Sequence, residues 1–169
     1  AMRLISDYDF DKLALPTRIH RSVYTDPELF ELEMQHVWGQ AWIFIGHESQ
    51  IPDAGDFFTT NINHETPVVM IRDRDDSVRV LHNRCAHKGA KVLERRSGQA
   101  RGALRCPYHG WTYRFDGSLL KIPNQDGYEG TGFDATDSCW GMQPLAQMAV
   151  YRGFVFASLS TKTPDLVSW

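Results

Sequence analysis

From Ala41 onward the hydrophobic positions fall into short clusters rather than long stripes. "AWIFIGH", "GDFFTTNI", "PVVMIRD" and "SVRVLHN" are rich in Val, Ile, Phe and Thr. Polar breaks separate them about every 8–12 residues, the signature of an antiparallel β domain. "GALRC", "WTYRF" and "GSLLKI" continue the series, and Asp116-Gly117 between the last two predicts a hairpin. "MAVYRGFVFASL" reads as two strands turning at Arg152-Gly153. Between "GSLLKI" and "MAVYRG", "PNQDGYEGTGFDATDS" is Gly- and Asp-rich and has no period, so it reads as a loop.

The pattern before Ala41 is different. "VYTDPELFELEMQHVWG" predicts a helix, with Thr25 or Asp26 at its start, Pro27 in the first turn and Gly39 at its end. Thr25 and Glu28 have capping-box spacing. Phe30, Met34, Val37, Trp38 and Ala41 lie on one helical stripe and are expected in the core. Residues 1–20 are mixed and read as an irregular arm.

The composition is that of an ordinary globular chain: 169 residues, 42% hydrophobic and 23% charged. A net charge of −3 points to neither nucleic acid nor membrane as a partner. No apolar run is long enough for a bilayer, and the N-terminus lacks a basic-then-apolar signal pattern, so the expected location is cytoplasmic. Three cysteines, an odd number, argue against a disulfide framework. Cys139 is expected to be a free, buried thiol.

The other two cysteines each sit close to a histidine. "NRCAHKGAKV" carries Cys85-x-His87, and "LRCPYHGWTY" carries Cys106-x-x-His109. Both pairs follow strand-like segments, and Gly89 and Gly110 come soon after the histidines, where a tight turn needs them. Two sulfurs and two nitrogens suit Zn²⁺ or an iron–sulfur cluster. Structural zinc sites usually pair Cys with Cys and His with His. A mixed pair on each loop instead fits a [2Fe–2S] centre with two cysteines on one iron and two histidines on the other. His20, His36, His47, His64 and His82 are read as structural.

"CAHKGA…CPYHGW" resembles the Rieske signature. The resemblance implies a Rieske-type antiparallel β-sandwich with an N-terminal helix, over residues 21–165, and a cluster-binding subdomain at about 82–122. It implies Cys85 and Cys106 on one iron, and His87 and His109 on the other through Nδ1. With two neutral imidazoles in place of two thiolates, the oxidised site is formally neutral and takes an electron more easily. The difference from an all-thiolate site is about 250 mV or more, roughly 6 kcal/mol for one electron.

Rieske proteins of the respiratory bc complexes are similar but carry an extra cysteine in each loop. Here those positions hold Ala90 and Tyr108, and Trp111 replaces a serine that donates to cluster sulfur. Fewer hydrogen bonds to sulfur imply a potential low in the Rieske range, below roughly +100 mV.

The flank "YTDPELFELEMQHVWGQAWIFIGHESQIPDAGDFFT" is similar to the N-terminus of aromatic ring-hydroxylating oxygenase large (α) subunits, especially the benzoate, salicylate and terephthalate types. The resemblance covers roughly residues 20–160. Complete α subunits continue into a catalytic domain whose mononuclear Fe(II) is held by two histidines and a carboxylate. No histidine follows His109 here, so that domain is expected to be absent and this chain alone is expected only to accept and release electrons.

The resemblance implies a flavin reductase or ferredoxin as electron donor. It also implies neighbouring α subunits in a trimer, with a β subunit in some members, and an electron exit at His109 assisted by Tyr108. Arg84, Lys88, Lys91, Arg95, Arg96, Arg101 and Arg105 form either a solvated face or a docking patch for an acidic donor. A stand-alone Rieske electron carrier and a zinc-stabilised module are the competing readings.

Overall fold

The computed structural model describes residues 5–169; the first four residues of the expected arm lie outside the described residues. The rest of the arm is more regular than expected. A short helix α1 (Phe10–Leu13) runs into a two-stranded ladder, β1 (Ala14–Leu15) with β2 (Arg18–Ile19). A single turn α2 (Ser22–Thr25) then leads to helix α3 (Pro27–His36).

Asp26, not Thr25, caps α3: its carboxylate accepts from the Glu28 and Leu29 backbone amides. The Thr25 hydroxyl instead donates back to the Arg21 carbonyl. The predicted stripe is also corrected. Leu29 and Leu32 are the buried residues of α3, while Phe30, Val37 and Trp38 are exposed. The helix stops at His36 and Trp38–Gln40 form a 3₁₀ turn, which turns Val37 and Trp38 away from the core, while Ala41 beyond it is buried as expected.

The β strands follow the predicted clusters closely. In chain order they are β3 (Ile43–His47), β4 (Asp56–Ile62), β5 (Thr66–Arg72), β6 (Val78–His82), β7 (Ser97–Gln99), β8 (Leu104–Arg105), β9 (Thr112–Tyr113), β10 (Leu119–Lys121), β11 (Gln147–Tyr151) and β12 (Phe154–Ser158). They form sheets in the orders β6-β5-β4-β7, β11-β12-β3 and β10-β9-β8, with every pairing antiparallel. The β7 strand, "SGQ", carries no hydrophobic signal and was not foreseen.

Within the four-stranded sheet, β5 is buried on both faces. Along β5, Val69 and Ile71 join one core, and Val68 and Met70 join the other. That explains why "PVVMI" is a continuous apolar run rather than an alternating one. The first core takes Leu81, Leu104, Tyr113, Phe115 and Met142 as well, and lies under the Cys/His loops. The second packs the four-stranded sheet against β3 and β12 through Ile45, Val155 and Ala157. A mostly β, antiparallel architecture with an N-terminal helix is what the hydrophobic pattern predicts, and the sandwich arrangement is what the resemblance implies.

Candidate metal centre

Cys106 and His109 occupy the tip of the β8–β9 hairpin, whose register pairs Leu104 with Tyr113 and Arg105 with Thr112. Cys85 and His87 lie in the longer loop between β6 and β7, two strands that do not pair with each other. Despite this difference the two loops share one backbone turn. The Cys85 amide donates to the Ala90 carbonyl, and the Gly89 amide donates back to the Cys85 carbonyl. The Cys106 amide donates to the Trp111 carbonyl, and the Gly110 amide donates back to the Cys106 carbonyl. Gly89 and Gly110 have φ of +74° and +75°, a conformation that costs other residues free energy. The unequal spacings are therefore one turn carrying its histidine at the second or the third place after cysteine.

The turns bring like donors together. Both cysteines are buried and neither is in a disulfide. The thiols stand close enough that Cys106 helps raise the pKa of Cys85, where burial is the largest cause and the Tyr113 hydroxyl opposes it. The His87 and His109 ring centroids are 4.8 Å apart, nearly perpendicular. Burial and the neighbouring His109 and Lys88 hold His87 below the usual histidine pKa, in its neutral form.

The residues fit a [2Fe–2S] centre on two counts. His87 Nδ1 is buried with no hydrogen-bond partner, a costly state for a polar atom unless something binds it. Among the described residues no three His, Cys, Asp or Glu side chains converge on one ion position. Two irons, each taking two protein donors, need no such convergence.

The surroundings supply three residues that the motif alone does not reveal. Tyr113, fully buried, has its hydroxyl 3.0 Å from Cys85 Sγ. The Ala86 amide donates to that hydroxyl oxygen at 3.1 Å, so the tyrosine's own proton is free to donate to sulfur. Burial drives the Tyr113 phenol strongly upward, so it stays protonated. Asn83, also buried, closes the base of the first loop: its Oδ1 accepts from the Val92 and Leu93 amides and its Nδ2 donates to the Leu93 carbonyl. Trp111, 2% exposed, lies parallel to His87 at 5.0 Å between centroids. Of the three, the sequence singles out only Trp111, as the residue in place of a sulfur-donating serine; Tyr113 carries a weaker signal, as an aromatic residue on the strand leaving the second loop.

A donor aimed at cluster sulfur favours the reduced, more negative state. Tyr113→Phe is therefore expected to lower the midpoint potential, on the order of 50 mV for about 1 kcal/mol of differential stabilisation. Redox titration followed by EPR reads the shift.

Cys139 departs from expectation: it is exposed, not buried, in the 3₁₀ turn Ser138–Trp140. His47 caps the 3₁₀ turn Glu48–Gln50, accepting from the Ser49 amide, and His20 pairs with Ser22.

The Rieske [2Fe–2S] domain family matches residues 41–150. The chain belongs to this family. The biphenyl dioxygenase α subunit of Metapseudomonas furukawaii is 41% identical over 154 residues, covering 87% of this chain and 32% of that protein. The toluate 1,2-dioxygenase α subunit of Pseudomonas putida is 38% identical, covering 84% and 31%. Among solved structures, naphthalene 1,2-dioxygenase from a Rhodococcus species superposes with a TM-score of 0.80 at 34% identity, covering 89% of this chain and 33% of that one. A quaternary ammonium Rieske monooxygenase, whose structure is described in terms of carnitine oxidation and inter-subunit electron transfer, scores 0.78 at 32% identity, covering 88% and 39%. This Rieske domain thus spans about one third of the length of its curated relatives. No helix among the described residues is long and apolar enough to cross a membrane.

Proposed function

We propose that this chain is the electron-transfer part of an aromatic ring-hydroxylating dioxygenase α subunit, with Cys85, Cys106, His87 and His109 as the ligands of its [2Fe–2S] cluster. The observation that carries the assignment is the pair of matching turns, which groups the two thiols and the two imidazoles and leaves His87 Nδ1 buried and unpartnered. Bound there, the cluster supplies one-electron uptake and release. The protein's own part is to exclude water from the sulfur end, where both cysteines are buried, and to donate a hydrogen bond from Tyr113. It also leaves one imidazole accessible. His109 is exposed, and Tyr108, itself 65% exposed, stacks on it at 3.8 Å.

On this reading the domain covers residues 21–165, with the cluster-binding part at about 82–122 and an arm over 1–20. The electron comes from an NAD(P)H-linked flavin reductase or a ferredoxin. It leaves by His109 and Tyr108 toward a mononuclear Fe(II) site of a neighbouring α subunit, in the region of the relatives that this chain does not span. There it supports hydroxylation of an aromatic substrate, the class named for the biphenyl, benzene and toluate enzymes among the relatives. The work is expected in the cytoplasm.

The test is direct. Purified protein should contain equal iron and inorganic sulfide, give a Rieske EPR signal on reduction, and titrate below roughly +100 mV. A colourless protein with one bound zinc per chain refutes the assignment.

The seven basic residues of the cluster loops are all exposed, and no ion pair neutralises any of them among the described residues. Uncompensated charge beside a redox centre favours an acidic donor and speeds encounter at low salt. Arg95→Glu with Arg96→Glu is expected to slow reduction by the donor about tenfold or more at low ionic strength and much less at high salt. Stopped-flow reduction across a salt series checks this.

A further inference from the structure

The Gly- and Asp-rich segment that follows β10 looks featureless in sequence, yet it delivers three aromatic rings to one point. Tyr128, Phe133 and Trp140 surround Trp111 at centroid distances of 6.5, 6.0 and 6.0 Å, with interplanar angles of 70°, 71° and 66°. Phe133 also touches the other two, 4.7 Å from Tyr128 and 5.1 Å from Trp140 between centroids. The segment is tied down beyond Trp140, where the Met142 amide donates to the Gly117 carbonyl. Trp111, met at steep angles by three rings, also stacks on His87 with only 4° between the planes.

His87 depends on that stacking. A ligating histidine is ordinarily oriented by a hydrogen bond from its other ring nitrogen to a neighbouring group. No hydrogen bond among the described residues holds the His87 ring, and its Nδ1 is buried without a partner. Beyond the iron bond proposed for Nδ1, the contacts of the ring are the indole on one side and His109 on another. His109 has a different neighbour, the exposed Tyr108.

We infer that the 123–140 loop is a positioning device for one histidine only: Tyr128, Phe133 and Trp140 clamp Trp111, and Trp111 sets the plane of the His87 imidazole. Edge-to-face contacts are directional, so an indole caught among three of them has little freedom to tilt. An imidazole stacked parallel to it inherits that restriction. The two histidines are thereby made unequal, His87 shielded and fixed, His109 exposed and free to meet a partner. The inference rests on the ligand assignment proposed above.

The test uses the cluster-bearing protein labelled with ¹⁵N-histidine, reduced, and read by pulsed EPR for the nitrogen couplings. The parent should show two sharp, distinct histidine couplings. Phe133→Leu and Trp140→Leu should each lose one of them into a broad distribution and leave the other unchanged, and Trp140→Phe should restore the sharp line. Tyr108→Ala should disturb the other coupling instead. Where a leucine variant loses iron, Tyr128→Leu at the loop's outer ring is read, with the same single-coupling loss expected. Loop variants with intact clusters and two unchanged couplings would overturn the inference, as would variants in which both couplings move together. A parent protein without a pair of histidine couplings would refute the ligand assignment itself, so the two failures are distinct.

Discussion

Cys106→Ala is expected to abolish bound iron and inorganic sulfide altogether, whereas Cys139→Ala keeps both in full. The contrast follows from where the three thiols sit. Cys85 and Cys106 are buried side by side under the two turns, and Cys139 is exposed in a 3₁₀ turn. Burial disfavours a free thiolate at Cys85, and a metal reverses that preference by deprotonating the thiol it binds. Losing one of two sulfur ligands leaves an iron with a single protein donor at that end. Because the two loops are then no longer joined through a common centre, Cys106→Ala should also lower the thermal midpoint, while Cys139→Ala leaves it in place. Iron and sulfide analysis alongside calorimetry reads all four outcomes. Retention of sulfide in Cys106→Ala would move the cluster elsewhere.

The second large effect belongs to Asn83. Its side chain replaces a strand ladder at the base of the first loop: one oxygen accepts two backbone amides and one amide group donates to a backbone carbonyl. The Asn83 backbone amide donates to the Pro67 carbonyl of β5, anchoring the same base to the four-stranded sheet. Asn83→Ala removes three side-chain hydrogen bonds at once from a site that is 2% exposed. Each buried group left unpaired costs about 1–3 kcal/mol, so a loss of about 3 kcal/mol or more is expected. Urea unfolding should show a lower midpoint with an unchanged slope. Asn83→Asp is expected to be nearly as harmful, since a carboxylate cannot donate to the Leu93 carbonyl. A change below about 1 kcal/mol in Asn83→Ala would mean that water or a rearranged loop satisfies these groups.

Strand positions were the most legible part of the fold. Every predicted cluster from "AWIFIGH" to "FVFASL" became a strand, because each alternation or apolar run has a sheet face, or two, to meet. Short-range geometry also explains why Asp116-Gly117 turned as expected, with Gly117 at φ +90°. The helix was located but its face was misread. Its burial is decided by the arm and by where the helix stops, and one residue of phase separates Leu29 and Leu32 from the exposed Phe30. Strand β7 went unseen because its "SGQ" gains order from pairing with β4, not from a hydrophobic face of its own.

Taken alone, the sequence determined the candidate donor set. Cys-x-His and Cys-x-x-His with a glycine after each histidine define the local turns, and turns of that size depend on neighbours along the chain. The absence of further histidines after His109 likewise needs no coordinates. Only the tertiary structure decided which groups tune and hold those donors. Tyr113 reaches Cys85 across 28 residues of sequence, and Trp111 meets Trp140 from the far end of a loop without periodicity. It also decided that one histidine is shielded and the other open. Such contacts arise where separate segments are pressed together by a common core, and no spacing rule along a chain encodes which side chains meet there.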